Sequence, residues 1–266
     1  MNREYKKVEH LLTVTDLCVT YDKPILKNIN IAIDNIVRDG MNQGQVVALL
    51  GPSGIGKSQL FRCLAGLQHP TSGAVNFYDG KEMRAVQPGQ VGVVQQSYPL
   101  LEHRTILSNL CLVGTRLVAT EMLERFGLAD KRDNYPAQLS GGQRQRIAII
   151  QQLMCSSHFL LMDEPFSGLD LIAKQQVNKT ILSISTEHEF NTIIVITHDI
   201  DAALSIADTI WILGRDRDAT NNIIPGAYIK HVIDLIASGI AWTLQPSKQP
   251  EYLRISNEIK DLFSLL

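Results

Sequence analysis

The chain of 266 residues has no run of about 20 uninterrupted apolar residues, the length a helix needs to cross a bilayer. Its best apolar runs, around Thr192 to Ile196 and Thr209 to Leu213, have strand length. Cysteine is scarce: Cys18, Cys63, Cys111 and Cys155 lie far apart without metal-ligand spacing, so they read as reduced core thiols rather than a zinc site or a disulfide framework. Neither sign of charge dominates. With 25 Lys and Arg against 27 Asp and Glu the net charge is −2, and no basic surface for nucleic acid is implied. The first ten residues, Met1 to His10, are charged and lack the apolar centre of a secretory leader. Coiled-coil heptads and cysteine clusters are missing too. These absences lead us to expect a chain that works in the cytosol, large enough for one α/β domain or two modest lobes.

What the chain does have is a glycine-rich stretch, Gly51 to Ser58, reading G-P-S-G-I-G-K-S directly after the apolar run Val46 to Leu50. A buried strand that ends in such a loop and opens a helix is a phosphate-binding arrangement, with G-x-x-x-x-G-K-[ST] matched at Gly51, Gly56, Lys57 and Ser58. A polyphosphate needs several backbone N–H groups aimed at one point, in conformations only glycine reaches cheaply, and the following helix adds the positive end of its dipole. Lys57 is then placed to bridge the β- and γ-phosphates, and the Ser58 hydroxyl to ligate Mg²⁺.

Before this loop the pattern predicts a strand pair, Leu11 to Tyr21 and Ile25 to Ile33, and then a long polar surface loop from Asp34 to Gln45. After it we expect a helix from Lys57 to Gly66, strands at Ala74 to Tyr78 and Val91 to Val94, and a helical block from Ile106 to about Gln138 that includes a short helix from Thr120 to Phe126. Leu139 to Gln143, L-S-G-G-Q, opens a helix of about fourteen residues with Ser140 as its N-cap, a second helix start suited to an anion. Phe159 to Met162 then delivers Asp163 and Glu164 to the C-terminal edge of a buried strand, where Asp163 suits the Mg²⁺ shell and Glu164 the orientation or deprotonation of an attacking water. A helix from Leu169 to Glu187 shows one apolar face at Leu169, Ile172, Ala173, Val177, Ile181 and Ile184; strand Thr192 to Ile196 runs into Thr197 and His198; helix Ile200 to Ala207 and strand Thr209 to Leu213 continue the β-α alternation of a mainly parallel sheet.

In this order the motifs resemble the ATP-binding-cassette ATPases across roughly Leu11 to Gly214. Tyr21 stands where that family has its adenine-stacking aromatic, Gly51 to Ser58 at Walker A, Gln96 at the Q-loop glutamine, Leu139 to Gln143 at the family signature, Phe159 to Asp163 at Walker B, Glu164 at the catalytic glutamate, Ser167 to Asp170 at the D-loop and His198 at the switch histidine. The resemblance implies an α/β P-loop fold with a mainly parallel core sheet, an antiparallel β subdomain and an inserted helical lobe at about residues 97–155. It implies ATP and Mg²⁺, with nucleotide contacts from Tyr21, Gly51, Pro52, Ser53, Gly54, Ile55, Gly56, Lys57, Ser58 and Gln59. It further implies catalytic roles for Lys57, Gln96, Glu164 and His198, and metal contacts from Ser58, Gln96 and Asp163. Cassettes of this family dimerise head to tail, so Ser140, Gly141, Gly142 and Gln143 are expected to hold the ATP bound by a second subunit, here a homodimer mate. The chain departs from the family pattern at Gln59, where a second hydroxyl residue usually meets the α-phosphate, at Gln95 and at Ile150 to Leu153; Lys57, Ser58, Asp163, Glu164 and His198 are untouched and hydrolysis is still expected.

The resemblance covers two classes: the ATPase subunit of a membrane transporter, and a soluble ATPase of repair or translation. One compact cassette without coiled coils or zinc modules favours transport. Tyr135 to Ser140 and Thr197 to Asp201 are similar to the nitrate, sulfonate and taurine importer group, with a separately encoded exporter cassette as the alternative. An importer implies separate permease subunits, an extracytoplasmic solute-binding protein, no nucleic acid, and a peripheral location on the cytoplasmic face of the membrane. The apolar stretch Tyr98, Pro99, Leu100 and Leu101 is expected to receive the permease, against the plainer reading of packing within the helical lobe. The last part, residues 215–266, is expected to be a helical extension of two amphipathic helices, Ala227 to Ser238 ended by Gly239, and Glu251 to Leu266. We expect it to cover the core near Trp211 or to contact the dimer mate, with Trp242 anchoring the turn between the helices.

Overall fold

The computed structural model describes residues 5–38, 43–95, 99–155, 158–243, 246–264 and 266. The chain begins with β1 (Lys6–Thr20) and β2 (Pro24–Val37), which pair antiparallel with Leu12 opposite Ile33 and Val14 opposite Ile31. The expected loop at 34–45 is therefore corrected in its first part: β2 runs on to Val37 because Ile36 has an apolar place against Leu50 and Ile210, and because buried Asn35 donates to Glu9 Oε1 at 3.2 Å. At the other end of that stretch, β3 (Gln45–Leu50) is buried at every residue, as a strand covered on both faces must be.

The phosphate loop opens α1 (Lys57–Leu64). Next come β4 (Ser72–Tyr78), the short exposed β5 (Met83–Ala85), which the sequence reading missed, and β6 (Gly92–Val94). The helical lobe consists of α2 (Ile106–Leu110) and α3 (Arg116–Arg125), which starts a turn earlier than expected because Thr115 caps it by accepting from Val118 N. The lobe packs on α4 (Gly141–Cys155) through Ile106, Leu110, Leu123, Ile147 and Ile150. Leu100 belongs to this same apolar cluster and is nearly sealed, so the expectation that it receives a permease gives way to packing within the lobe; Leu101 is exposed, and Tyr98 lies outside the described residues.

From here strands and helices alternate: β7 (Phe159–Asp163), α5 (Leu171–Ser185), β8 (Thr192–Ile196), α6 (Ile200–Ile206) and β9 (Thr209–Gly214). Val177, Ile181 and Ile184 bury the inner face of α5, but Ile172, expected on that face, is 69% exposed together with Leu171. The helix begins only after Asp170, whose side chain accepts from Ala173 N, and none of its first-turn residues is buried. Cys111 and Cys155 are likewise exposed rather than core thiols; all four cysteines are free.

The clearest correction lies in the tail. Residues 228–234, expected to be helical, form β10 (Tyr228–Asp234), antiparallel to β9 with Val232 opposite Trp211. The apolar spacing fits a helix, but Ile229, Val232 and Ile233 are β-branched, and the exposed backbone edge of β9 offers a ladder of hydrogen bonds that an isolated helix does not. Asp234 ends the strand by accepting from Ile236 N and Ala237 N. The second expected helix is present as α7 (Pro250–Ser264), whose Ile255 and Ile259 pack with Leu204, Leu235 and Ile36; Tyr252 donates to Asp201 Oδ1 at 3.0 Å. Trp242 sits in the turn between β10 and α7, not between two helices, with the Arg38 guanidinium 4.3 Å from its ring centroid.

Two sheets result. One is antiparallel, in the order β2-β1-β4-β5; the other is mainly parallel, in the order β10-β9-β3-β8-β7-β6. A shared apolar core joins them, with Leu12, Val14 and Phe77 of the first against Leu49, Phe159 and Trp211 of the second. The C-terminal ends of β3, β7 and β8 therefore lie side by side, and everything that follows is built on that edge.

Candidate functional site

The phosphate loop follows β3. Its conformation needs glycine at two points for different reasons. At Gly51 a Cβ would lie 2.8 Å from the Leu213 carbonyl oxygen, so the loop could not pass β9. Gly56, with φ of 120°, makes the turn into α1 in a region closed to other residues. Lys57 Nζ lies back over the loop, donating to the carbonyl oxygens of Gly51 at 2.7 Å and Pro52 at 3.0 Å. Burial lowers its pKa, while Glu164 and Asp163 across the site hold it up. Ile55 contributes only backbone, since its side chain is sealed in the shared core.

Opposite the loop, β7 and β8 deliver the acids. Asp163 is the last residue of β7, and its pKa is raised by burial and by Glu164 and lowered by Lys57. Glu164 has φ of 49°, a left-handed conformation uncommon outside glycine, and its N–H is held by Ile196 O at 2.8 Å. Both carboxylate oxygens have partners. His198 Nδ1 lies 2.8 Å from Oε1, and the Thr197 hydroxyl donates to Oε2 at 3.3 Å. The Asp199 carboxylate beside them accepts from Lys174 Nζ at 2.6 Å; burial pushes its pKa up, but the bonds from Lys174 and the Ala202 N–H outweigh it and the net shift is downward.

A cavity of about 570 Å³ lies between loop and acids, lined by Tyr21, Ser53, Gly54, Gly56, Lys57, Ser58, Gln59, Asp163 and Glu164 among others. Tyr21 is 59% exposed at its mouth, held by bonds to Gln59 Oε1 (3.1 Å) and from Gln68 Nε2 (2.9 Å). Ser58 and Asp163 share this cavity, and a hydroxyl with a carboxylate is the hard oxygen donor set that suits Mg²⁺. Gln96 lies outside the described residues.

Ser140, Gly141, Gly142 and Gln143 are not part of this cavity. They form the start of α4, where Ser140 Oγ accepts from Gln143 N and Gln143 Oε1 accepts from Ser140 N, a reciprocal cap. This start lies beside that of α5: a side chain at Gly142 would meet the Ala173 Cβ at 3.6 Å, and Leu171 and Ile172 in that first turn of α5 are exposed.

Two supports were missed by reading the sequence. Arg215, just past β9, donates to the carbonyl oxygens of Gly54 at 3.3 Å and Ile55 at 3.4 Å, gripping the loop from behind; nothing in a local motif marks it. Thr197 stood next to His198 in a segment already singled out, and a hydroxyl at a strand end was the available signal.

Residues 35–167 match the family described as ABC transporter. The chain is 36% identical over 198 residues to the sulfate/thiosulfate import ATP-binding protein CysA of Shigella flexneri, covering 68% of this chain and 54% of that one. It thus spans about half the length of the curated relatives it matches. Among solved structures, the dimeric post-hydrolysis state of the ATP-binding cassette MJ0796 bound to ADP and Pi superposes with a TM-score of 0.63 at 25% identity, over 84% of this chain and 98% of that one. The cbiO1 protein of Clostridium perfringens, part of the transporter complex cbiONQ, gives a TM-score of 0.68 at 24% identity, over 95% and 100%.

Proposed function

The chain belongs to the ABC transporter family, and from that premise we propose that it is an ATP-hydrolysing subunit that powers the import of a small anionic solute. The observation that carries the hydrolysis is the single cavity holding Lys57, Ser58, Asp163 and Glu164. In it the backbone N–H groups of the phosphate loop and the Lys57 ammonium bind the β- and γ-phosphates, for which Lys57 exchanges its bonds to Gly51 and Pro52. Ser58 and Asp163 would hold Mg²⁺, which would supply charge neutralisation for the phosphates. Tyr21 offers a flat face at the mouth for adenine. Glu164 takes the proton of the attacking water, and His198 and Thr197 hold its carboxylate in place for that task.

The α4 start lies outside the cavity of its own chain, which supports assembly with a second copy whose nucleotide it completes. The family's known dimeric cassette bound to ADP and Pi is consistent with that arrangement. For import of anions the support is the printed function of the sulfate/thiosulfate relatives; permease subunits and a solute-binding protein belong to this reading, as does a place on the cytoplasmic face of the membrane. The test is phosphate release from ATP by the purified chain, with and without Mg²⁺, followed by membrane capture to identify the copurifying permease. Absence of Mg²⁺-dependent release by the wild-type chain overturns the proposal.

A further inference from the structure

We propose that Gln145 is a positioning residue that holds Glu164 in its working conformation and ties it to the helix start carrying Ser140 to Gln143. The inference rests on the hydrolase reading above. Gln145 lies in the second turn of α4 and is wholly buried. Its Nε2 donates to the Pro165 carbonyl oxygen at 2.5 Å, a short bond, while its Oε1 is buried without a partner among the described residues. A buried amide satisfied on one side only is unfavourable compared with an apolar residue of the same length, unless the bond it makes does something that packing does not.

What that bond does follows from its neighbour. Glu164 has φ of 49°, and a left-handed non-glycine residue persists only where its surroundings over-determine it. On the N-terminal side the restraint is the bond from Glu164 N to Ile196 O at 2.8 Å; across the turn Ser167 N donates to Glu164 O at 3.1 Å. On the C-terminal side stands Pro165, whose ring fixes φ, so that a bond to its carbonyl restrains the remaining backbone freedom of that residue. Gln145 supplies this bond from a different element. It lies two residues after Gln143, on the same helix whose start is closed by the reciprocal Ser140–Gln143 cap. Any shift of α4 on taking up a phosphate is delivered through Gln145 to Pro165, and so to the carboxylate that activates water.

The experiment compares the full-length chain with Gln145→Met, equal in length without the amide, and Gln145→Glu, equal in shape with a titratable donor. For Gln145→Met we expect kcat for MgATP to fall roughly tenfold, as for a small misplacement of a reacting group, with KM within about twofold. For Gln145→Glu, kcat relative to the wild type should rise as the pH is lowered, because the protonated carboxyl again donates to Pro165. A readout without turnover accompanies these: in nucleotide-free protein, hydrogen exchange at the Glu164 and Ser167 amides should speed up in Gln145→Met while amides of the helical lobe keep their protection. A folded Gln145→Met with wild-type kcat and unchanged exchange overturns the proposal, as does a fall in kcat accompanied by loss of protection throughout. A wild-type chain that releases no phosphate defeats the hydrolase reading alone, and the exchange result then decides on Gln145 independently.

Discussion

At the start of α1, Gly56 turns the chain at φ of 120° and Lys57 lies ready over the loop, facing Asp163 and Glu164 across a cavity of about 570 Å³. At the start of α4, Ser140 and Gln143 close on each other outside that cavity, and the exposed Leu171 and Ile172 lie in the neighbouring first turn of α5. Both are helix N-termini with glycine at hand, so both can bind an anion. The first has charges facing it within one cavity, while the second, on the function proposed above, is half of a site. A half-site with an apolar rim is most simply explained as a surface that another surface completes.

The comparison is broken most severely at Glu164. Glu164→Gln should lower phosphate release by about 10² to 10⁴-fold, the range for loss of a general base, while nucleotide still binds. It should also lock two chains together in ATP, which size-exclusion chromatography with and without nucleotide reads directly; a monomer in both conditions speaks against the paired sites. Next come two substitutions that separate the halves. Gly142→Asp introduces a negative charge where the second site needs a positive field, in a place with room for a Cβ. It should cost roughly a hundredfold in hydrolysis, as for a lost stabilising donor, yet leave labelled-nucleotide affinity of the monomer unchanged. Lys57→Ala should do the opposite, weakening that affinity roughly thirtyfold, on the order of 2 kcal/mol for charge-assisted bonds. If the two variants lose the same property, the halves are not distinct. More modest is the change at the rim: Leu171→Asp with Ile172→Asp should weaken ATP-dependent dimerisation roughly tenfold without lowering the melting temperature, because both side chains are exposed in the single chain.

How much of this was legible in the sequence depends on how local the physics is. The phosphate loop, the acids after β7 and the cap at Ser140 are each specified by a handful of adjacent residues, and the structure places Lys57, Ser58, Asp163 and Glu164 in one cavity as the motifs lead one to expect. Elements whose state depends on distant partners were not legible. Tyr228 to Asp234 reads as helix by spacing and becomes a strand because β9 has an edge to cover; Ile36 reads as loop and becomes β-structure because α6 and α7 leave it an apolar seat. Leu100 reads as surface and is core because it shares one apolar cluster with residues of α2, α3 and α4. The supports of the site, Arg215 on the loop carbonyls and Gln145 on Pro165, act across long stretches of sequence that no local motif joins.

The smallest effect comes from the opposite edge of the parallel sheet, where a third carboxylate gives the site acids their contrast. Asp208, just before β9, is 3% exposed and accepts from Val46 N at 2.7 Å, whereas Asp163 and Glu164 are only half-buried at the cavity they share with Lys57. Burial raises its pKa to about 7, moderated by the Val46 N–H, the Trp242 side chain and the Arg38 charge, with Asp234 adding to the rise. The folded value lies above the ordinary carboxyl value of about 3.9, so between these two the folded chain keeps a proton that the unfolded chain has released. Stability from this group therefore falls as the pH rises towards about 7 and is level above it. Asp208→Asn cannot ionise but can still accept from Val46. Measured by urea unfolding, the variant should gain on the wild type by on the order of 1 kcal/mol per pH unit from pH 5.5 to 7, and no further beyond. Its nucleotide affinity should not change, because Asp208 belongs to the fold and not to the chemistry. A stability gap that is the same at every pH would show that Asp208 ionises as freely in the folded chain as in the unfolded one, and the contrast between this sealed carboxylate and the more open pair Asp163 and Glu164 would fail.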